Sequence, residues 1–194
     1  MNTVARLKKN LTASIQAKQQ LLDDMGCLER FSKAVEIVVD RYKKGGRIYI
    51  AGNGGSAADA QHLAAEFVSK LARDRAPLPA EALTVDSSIL TAIGNDYGYD
   101  LIFSRQLAGK ATVKDIFLGI TTSGKSQNIL KALEQCRIMD IPSIVFVGHD
   151  GGLAKTMADH FIIAPGVATS TIQELHIVLA HTLCECVEVA IFGE

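Results

Sequence analysis

The sequence predicts an α/β protein in which a doubly wound, five-stranded parallel sheet is covered by helices on both faces and preceded by two N-terminal helices. Short apolar or β-branched runs alternate with stretches of helical periodicity along most of the chain. The runs are nearly continuously apolar, which is typical of strands that are buried on both faces. Strands and helices that alternate at this spacing form right-handed βαβ crossovers, and these build a three-layer αβα sandwich.

The elements follow in a simple order. Two helical patterns come first, at residues 4–24 and 29–44, and the second ends at Gly45-Gly46, a natural helix stop. Five strands are predicted at 47–52, 79–84, 115–121, 142–148 and 160–165. The later helices are predicted at 56–71, 87–93, 99–109, 126–139, 151–158 and 171–192. No linker or repeat interrupts this order, so we expect one domain over residues 1–194.

The composition is that of a soluble globular protein. The 194 residues are 48% hydrophobic and carry a formal net charge of −1, which indicates neither a nucleic-acid-binding surface nor a disordered chain. The N-terminal residues lack a signal-peptide pattern, and no apolar run is expected to reach membrane-spanning length. We therefore expect a cytoplasmic protein without a membrane or nucleic-acid partner. The four cysteines have neither zinc-cage nor redox spacing and are expected to be reduced, mostly buried thiols.

The last predicted helix is apolar around most of its circumference, which is more than a surface helix needs. We expect this helix to be buried in an oligomer. The long amphipathic first helix makes the same suggestion more weakly.

Two strand-to-helix loops have the composition of an anion-binding site, and ligands of parallel sheets bind outside the carboxyl ends of the strands. After the first strand, glycines allow a sharp turn that exposes backbone N–H groups, and a serine could cap the next helix. These residues are Asn53, Gly54, Gly55 and Ser56. After the third strand, four hydroxyls surround Gly124 at a helix start and could cradle a phosphate. They belong to Thr121, Thr122, Ser123 and Ser126.

Either loop alone could simply turn the chain and cap a helix. Two such loops in one sheet favour a ligand site. Neither matches the Walker A or the dinucleotide GxGxxG pattern, and no acidic residue stands where a ribose would need one. A sugar phosphate therefore fits better than a nucleotide.

His62 and Glu66 are four residues apart on the helix that follows the first of these loops, residues 53–56, which we call the glycine loop. They share one face and point back toward the helix N-terminus, where the pocket is expected. The alternative is that His62 is bonded to a neighbour and that Glu66 forms a surface pair with Lys70.

The terminal helix supplies Gln173 and His181. On one continuous helix these two differ by about 80° in direction and about 12 Å in height. They could meet at one ligand only if their side chains converge, if Gln173 lies in an irregular first turn, or if different subunits supply them. Alone, Gln173 could be a capping residue and His181 a core histidine. Combined with His62 and Glu66, they would offer two imidazoles, a carboxylate and an amide oxygen to a divalent metal.

Asn95 and Asp96 are expected in a turn after a short helix. Such pairs are usually turn formers. The alternative is polar contact with sugar hydroxyls.

Five segments together resemble the phosphoheptose isomerase (sedoheptulose 7-phosphate isomerase) family of the sugar isomerase (SIS) fold. The segments are AGNGGSAADAQHLAAEF (51–67), LTAIGNDYGYDLIFSRQ (90–106), TTSGKSQNILKAL (121–133), GHDGG (148–152) and IQELHIVLAHTLCECVE (172–188). The resemblance implies conversion of D-sedoheptulose 7-phosphate to D-glycero-D-manno-heptose 7-phosphate, the first step toward activated heptoses for lipopolysaccharide, capsule or other surface glycans. It also implies a bacterial, cytoplasmic homotetramer with pockets between subunits.

The resemblance also implies site residues. The family's zinc pattern, with one Zn²⁺ per subunit, falls on His62, Glu66, Gln173 and His181. Its sugar-phosphate contacts fall on Asn53, Gly54, Gly55, Asn95, Asp96, Thr121, Thr122, Ser123 and Ser126, besides Glu66 and Gln173. The chain departs from the family where Thr121 replaces a common Ser, Lys70 replaces a frequent Arg, and Ser170-Thr171 replace a common Asp or Ala followed by Arg or Lys. These departures bear on the choice of substrate more than on the reaction type.

Aldose–ketose isomerisation through an enediol needs a base that faces C1 and C2 and an acid or metal at the oxygens. Glu66 is the predicted base and His181 the predicted acid. A carboxylate that ligates zinc is a weaker base, so either Glu66 changes its coordination during turnover or the metal mainly assembles the pocket. The alternative function is a non-catalytic SIS protein that binds the replication initiator DnaA, or a sugar-phosphate sensor. The DnaA-binding branch lacks the acid and the histidine that this chain has at positions 66 and 181.

Overall fold

A five-stranded parallel sheet forms the centre of the protein in the computed structural model, which describes residues 2–193. Its strands are β1 (Ile48–Gly52), β2 (Ala80–Ala82), β3 (Ile116–Thr121), β4 (Ser143–Gly148) and β5 (His160–Ala164). The order across the sheet is β2-β1-β3-β4-β5, and every neighbouring pair is parallel. The predicted α/β fold with a five-stranded parallel sheet is confirmed.

Helices cover both faces of this sheet. They are α1 (Thr3–Asp23), α2 (Met25–Lys43), α3 (Gly55–Val68), α4 (Ser87–Asp96), α5 (Ser104–Lys110), α6 (Gln127–Ile138), α7 (Ala154–Met157) and α8 (Thr169–Phe192), with a 3₁₀ turn at Tyr99–Leu101. The first three helices and α8 pack on one face, and α4 to α7 pack on the other. The two predicted N-terminal helices therefore share the layer of α3 and α8.

The sheet is buried on both faces because its side chains alternate between two apolar cores. In β3, Ile116 and Leu118 join the core beneath α3 and α8, whereas Phe117 joins the core beneath α5 and α6. The cysteines are all free. Burial raises the pKa of Cys136 and of Cys184 to about 12, so both remain thiols at neutral pH.

Several predicted element bounds are wrong, and the backbone explains why. The helix predicted at 151–158 shortens to Ala154–Met157 because Gly151 and Gly152 are left-handed, with φ of 86° and 52°. The helix predicted at 56–71 ends at Val68, and the strand predicted at 79–84 shortens to three residues. The helix predicted at 99–109 is divided into the 3₁₀ turn and α5.

The turn predicted at Asn95 and Asp96 is also wrong, because these are the last two residues of α4. The Tyr97 amide still donates to the carbonyl of Ile93 at 2.9 Å, which continues the helical hydrogen-bond ladder through both residues. The chain leaves the helix only afterwards, at Gly98 (φ 95°).

By length and composition, α8 could cross a membrane, which corrects the expectation that no apolar run reaches that length. The most apolar 18-residue window of α8 is 44% buried within the chain. Its buried face packs into the core through residues such as Leu175, Leu183 and Val187. Core helices of soluble proteins meet the same criteria of length and composition, and the buried face of α8 packs in this way.

The close packing of α3 against the end of β1 is testable at Gly52. A Cβ on Gly52 would lie 2.3 Å from the backbone oxygen of Ser56, which cannot rotate away. We expect Gly52→Ala to lower the free energy of unfolding in urea by about 1–3 kcal/mol, the usual cost of overpacking. The control is Gly94→Ala in α4, where the added Cβ meets nothing within 4 Å. That variant should be unchanged or slightly more stable, and equal stability of the two variants would contradict the packing described here.

Candidate active site

The candidate site lies where the order of strands reverses along the sheet. The strands β1 and β3 are neighbours, and the chain leaves β1 toward β2 on one side and β3 toward β4 on the other. The helices that follow β1 and β3, α3 and α6, lie on opposite faces of the sheet. Such a switch point leaves a crevice at the carboxyl ends of the two strands, which is where open α/β sheets bind ligands.

The glycine loop joins β1 to α3 on one side of this crevice. Gly54 is the N-cap of α3, with φ of 57° and ψ of −119° and no side-chain hydrogen bond to the helix N-terminus. A Cβ on Gly54 would meet no atom within 4 Å, so the space above the loop is open to a ligand. The prediction that Ser56 caps the helix is wrong. Ser56 lies inside α3 and is only 3% exposed.

The loop of residues 121–126, which we call the hydroxyl loop, joins β3 to α6 on the other side. The Thr121 and Ser126 hydroxyls are hydrogen-bonded to each other at 3.1 Å, and Thr121 is buried. Ser123 is exposed, and its hydroxyl accepts from the Lys125 amide at 3.2 Å. Thr122 is half-buried, and its carbonyl accepts from the Gly148 amide. The hydroxyls that remain most accessible to an anion are therefore those of Thr122 and Ser123.

The GHDGG segment supports the hydroxyl loop. Gly124 has φ of 63°, and a Cβ there would lie 2.0 Å from the carbonyl oxygen of Gly151. The amide of Ala154 donates to the carbonyl of Gly124 at 3.0 Å. The glycines in both segments thus allow two backbones to pack directly against each other, which holds the loop rigid.

Asn128, a residue that the sequence analysis missed, connects the two loops. Its side-chain amide exchanges two hydrogen bonds with that of Asn53, at 2.8 and 2.9 Å, and is only 2% exposed. The exposed Tyr99 hydroxyl also donates to Asn53 Oδ1, at 2.9 Å. The oxygen of Asn53 is thus occupied within the chain, and one N–H of its amide is left for a ligand. Asn128 and Tyr99 both lie in segments that carry the family resemblance, but their partners depend on the fold.

A carboxylate lies between two imidazoles where α3 and α8 pack together. Glu66 Oε1 is 2.9 Å from His62 Nε2 and 3.1 Å from His181 Nε2. The two rings meet edge to face, with centroids 5.2 Å apart. The side chain of Glu66 is 10% exposed, whereas those of His62 and His181 are 52% and 41% exposed. Glu66 therefore faces the imidazoles and not a surface pair with Lys70.

These three side chains fit a divalent metal. Their candidate donor atoms all lie within 4.8 Å of one another. Ligand atoms of a tetrahedral zinc, at about 2.0–2.2 Å from the ion, are about 3.3 Å apart, close to the two contacts in this cluster. Among the described residues, Glu66 Oε2 is buried and lacks a hydrogen-bond partner, and the buried His181 Nε2 lies 3.1 Å from Glu66 Oε1 without the geometry of a hydrogen bond. A bound cation would satisfy both atoms, which otherwise carry a desolvation cost.

Gln173 reaches the glycine loop. It lies in the regular part of α8, so the alternative of an irregular first turn is wrong. A Cβ on Gly55 would lie 2.3 Å from Gln173 Nε2, which means that the amide packs against the bare Cα of Gly55. Because α3 and α8 run side by side, Gln173 lies near the start of α3 and His181 near its end. The Gln173 amide therefore lies at the crevice, where it packs against Gly55.

Other polar residues of the predicted site regions have local roles. Asn95 and Asp96 are exposed, and the Asn95 amide donates to the carboxylate of Asp96 at 2.7 Å. No hydrogen bond joins them to either loop within residues 2–193. His176 is buried and contacts the carbonyl of Val147 at 3.2 Å. Burial lowers the pKa of His176 to about 4, which makes it a neutral core histidine.

Comparison with known proteins identifies the family of the chain. A family profile for the SIS domain matches residues 12–148. A phosphoheptose isomerase of Clostridium acetobutylicum is 46% identical over 188 residues, which cover 97% of this chain and 96% of that protein.

Two solved structures are similar over nearly their whole length. A phosphoheptose isomerase from Neisseria gonorrhoeae is 39% identical with a TM-score of 0.88, covering 95% of this chain and 97% of that one. One from Francisella tularensis is 34% identical with a TM-score of 0.91, covering 96% and 98%. The chain therefore belongs to the phosphoheptose isomerase family of SIS-domain proteins.

Proposed function

We propose that this protein interconverts D-sedoheptulose 7-phosphate and D-glycero-D-manno-heptose 7-phosphate through an enediol. The observation that carries the proposal is the contact of one buried carboxylate, Glu66, with two imidazoles, on the helix that begins at the glycine loop. Relatives that match nearly the whole chain are named phosphoheptose isomerases, and this favours an isomerase over a protein that only binds DnaA or senses a sugar phosphate.

Each part of the site has a role in this proposal. The phosphate end of the sugar is held by backbone amides of the glycine loop and by the Thr122 and Ser123 hydroxyls, because oriented amides at helix starts favour anions. Anchoring the far end places C1 and C2 at the carboxylate without loss of orientation. From ketose to aldose, Glu66 removes a proton from C1 and returns one to C2. His181 donates a proton to the oxygen on C2 as the enediol forms and takes the proton from the oxygen on C1 as the aldehyde forms.

The family's zinc fits the cluster, and we propose His62, Glu66, Gln173 and His181 as its ligands. Bound there, Zn²⁺ would polarise the oxygens on C1 and C2 as a Lewis acid. Two buried donor atoms without a hydrogen-bond partner, Glu66 Oε2 and His181 Nε2, support the site. Gln173 lies at Gly55, which supports contact with the substrate, and the family resemblance supports it as the fourth metal ligand.

The proposed assembly is a cytoplasmic homotetramer with pockets between subunits. A row of large apolar side chains is exposed along α1, on a face that points away from the core. The row consists of Val4, Leu7, Leu11, Ile15 and Leu22, which are 54% to 67% exposed. An apolar stripe at helical spacing favours a covering helix from another copy. A neighbouring subunit would also cover the half-exposed imidazoles and bring further polar groups, such as its own Asn95 and Asp96, to the sugar.

Glu66→Gln tests the proposed base. The amide keeps the size of the side chain but cannot accept a proton, so we expect isomerisation to fall by at least about 1,000-fold. Turnover of sedoheptulose 7-phosphate is followed by chromatography of the aldose product, and circular dichroism checks that the fold is intact. Glu185→Gln, the same change at an exposed position of α8, should keep full activity. Near-normal turnover by Glu66→Gln would remove Glu66 from the base role.

Gly55→Ala tests the contact of the glycine loop with Gln173. The new methyl group would displace the Gln173 amide, which can swing away, so the fold should keep its melting temperature. We expect zinc affinity, measured by competition with a chromophoric chelator, to fall by about 10-fold because the amide loses its position. Gly94→Ala serves as the control. Unchanged zinc affinity in Gly55→Ala would argue against Gln173 as a ligand.

The oligomer is tested by placing charge in the α1 stripe. Leu11→Lys with Ile15→Lys should reduce the molar mass measured by light scattering to that of a smaller species, because buried unpaired charges are costly at an interface. Gln16→Lys with Gln20→Lys adds the same charges at exposed polar positions on another side of α1 and should leave the assembly intact. An unchanged mass for the Leu11 and Ile15 variant would show that this face is not the interface.

A further inference from the structure

A buried ion pair outside the cluster joins the end of α3 to α8. Arg75 lies in the segment that leads from α3 to β2, and Glu188 lies near the end of α8. Their side chains are each 2% exposed, and Arg75 Nε donates to Glu188 Oε1 at 2.8 Å. The proposed chemistry uses neither residue, so the burial of two charges at this point needs another explanation.

The guanidinium caps the C-terminus of α3. Its Nη2 donates to the backbone carbonyl of Glu66 at 2.8 Å, and its Nη1 donates to that of Phe67 at 2.7 Å. Nη1 also lies within hydrogen-bond distance of the carbonyls of Ser69 and Ala76. The last carbonyls of a helix have no partner within it, and a cation there also favours the helix dipole. Arg75 therefore holds the backbone of the residue that carries the catalytic carboxylate.

Glu188 connects this cap to the side of α8 that carries His181. It follows His181 by seven residues, so on α8 the two side chains point within about 20° of each other and are about 10 Å apart along the axis. The side chain of Glu66 contacts His181, and its carbonyl is tied through Arg75 to Glu188. The helices α3 and α8 are thus joined twice on one face, and Glu66 takes part in both connections.

We infer that Arg75 and Glu188 are positioning residues, which fix the end of α3 against α8 and so hold Glu66 at His181. The inference rests on the proposed role of Glu66. Stability alone is a poor explanation of the pair, because a buried ion pair commonly contributes no more than apolar residues of similar volume. The directed contacts with the Glu66 and Phe67 carbonyls are what an apolar pair could not supply.

The test replaces the pair by apolar residues of similar size, in Arg75→Met with Glu188→Leu. The affinity for Co²⁺, read from its absorption bands, and kcat should each fall by about 10-fold or more, as for residues that orient metal ligands. The KM for sedoheptulose 7-phosphate should stay within about 2-fold, because the anion-binding loops are untouched. The control is Lys110→Met with Glu81→Leu, which removes a partly buried ion pair on the opposite face and should change none of these quantities.

A folded double variant with unchanged Co²⁺ affinity and kcat would overturn the inference, and so would a rise in KM with kcat unchanged. If the double variant does not fold, Arg75→Lys decides by the same readouts, because an ammonium keeps the charge but cannot reach both carbonyls and Glu188 together. If the wild-type protein binds Co²⁺ but leaves sedoheptulose 7-phosphate unchanged, the proposed function is contradicted. The Co²⁺ titration of the variants would still test the positioning role.

Discussion

The site depends on one contact, that of the Glu66 carboxylate with the imidazoles of His62 and His181. A carboxylate that is nearly buried is costly unless polar or charged groups compensate it. Here the compensating imidazoles lie on two different helices, α3 and α8. The contact therefore requires a fixed distance between these helices and a fixed rotation of each about its axis. One of the carboxylate oxygens still lacks a partner within the described chain. A cation or a substrate at that oxygen would complete the compensation, and this is why we propose that the cluster binds a ligand.

The fold supplies this spacing through small residues and close backbone contacts. Gly52 lets α3 begin directly above the end of β1, and Gly55 lets Gln173 of α8 reach the start of α3. The hydroxyl loop on the other side is held by backbone contacts with Gly151 and by the amide pair of Asn53 and Asn128. The crevice is therefore built from rigid parts, which suits a reaction in which one base must face two adjacent carbons.

Much of this architecture could be predicted from the sequence, because the apolar runs and helical periods are local signals. The five strands, their parallel arrangement and the shared face of His62 and Glu66 follow from spacing alone. The contact of Glu66 with His181 could not be derived in this way. The two residues are 115 positions apart in the sequence, and their contact depends on how α3 and α8 pack together. The partners of Asn128 and Arg75 are equally non-local. The prediction of a turn at Asn95 and Asp96 is wrong because turn-forming residues also occur at the ends of helices. The chain turns after them, at Gly98.

In the proposed mechanism, a protein base that exchanges its proton with water moves hydrogen between C1 and C2. Isomerisation of sedoheptulose 7-phosphate in D₂O, followed to equilibrium by NMR, measures this exchange. We expect deuterium at C2 of the aldose and, on prolonged incubation, at C1 of the ketose, because Glu66 lies beside half-exposed imidazoles. Complete isomerisation without deuterium at either carbon would show that no exchanging base takes part, as in direct hydride transfer.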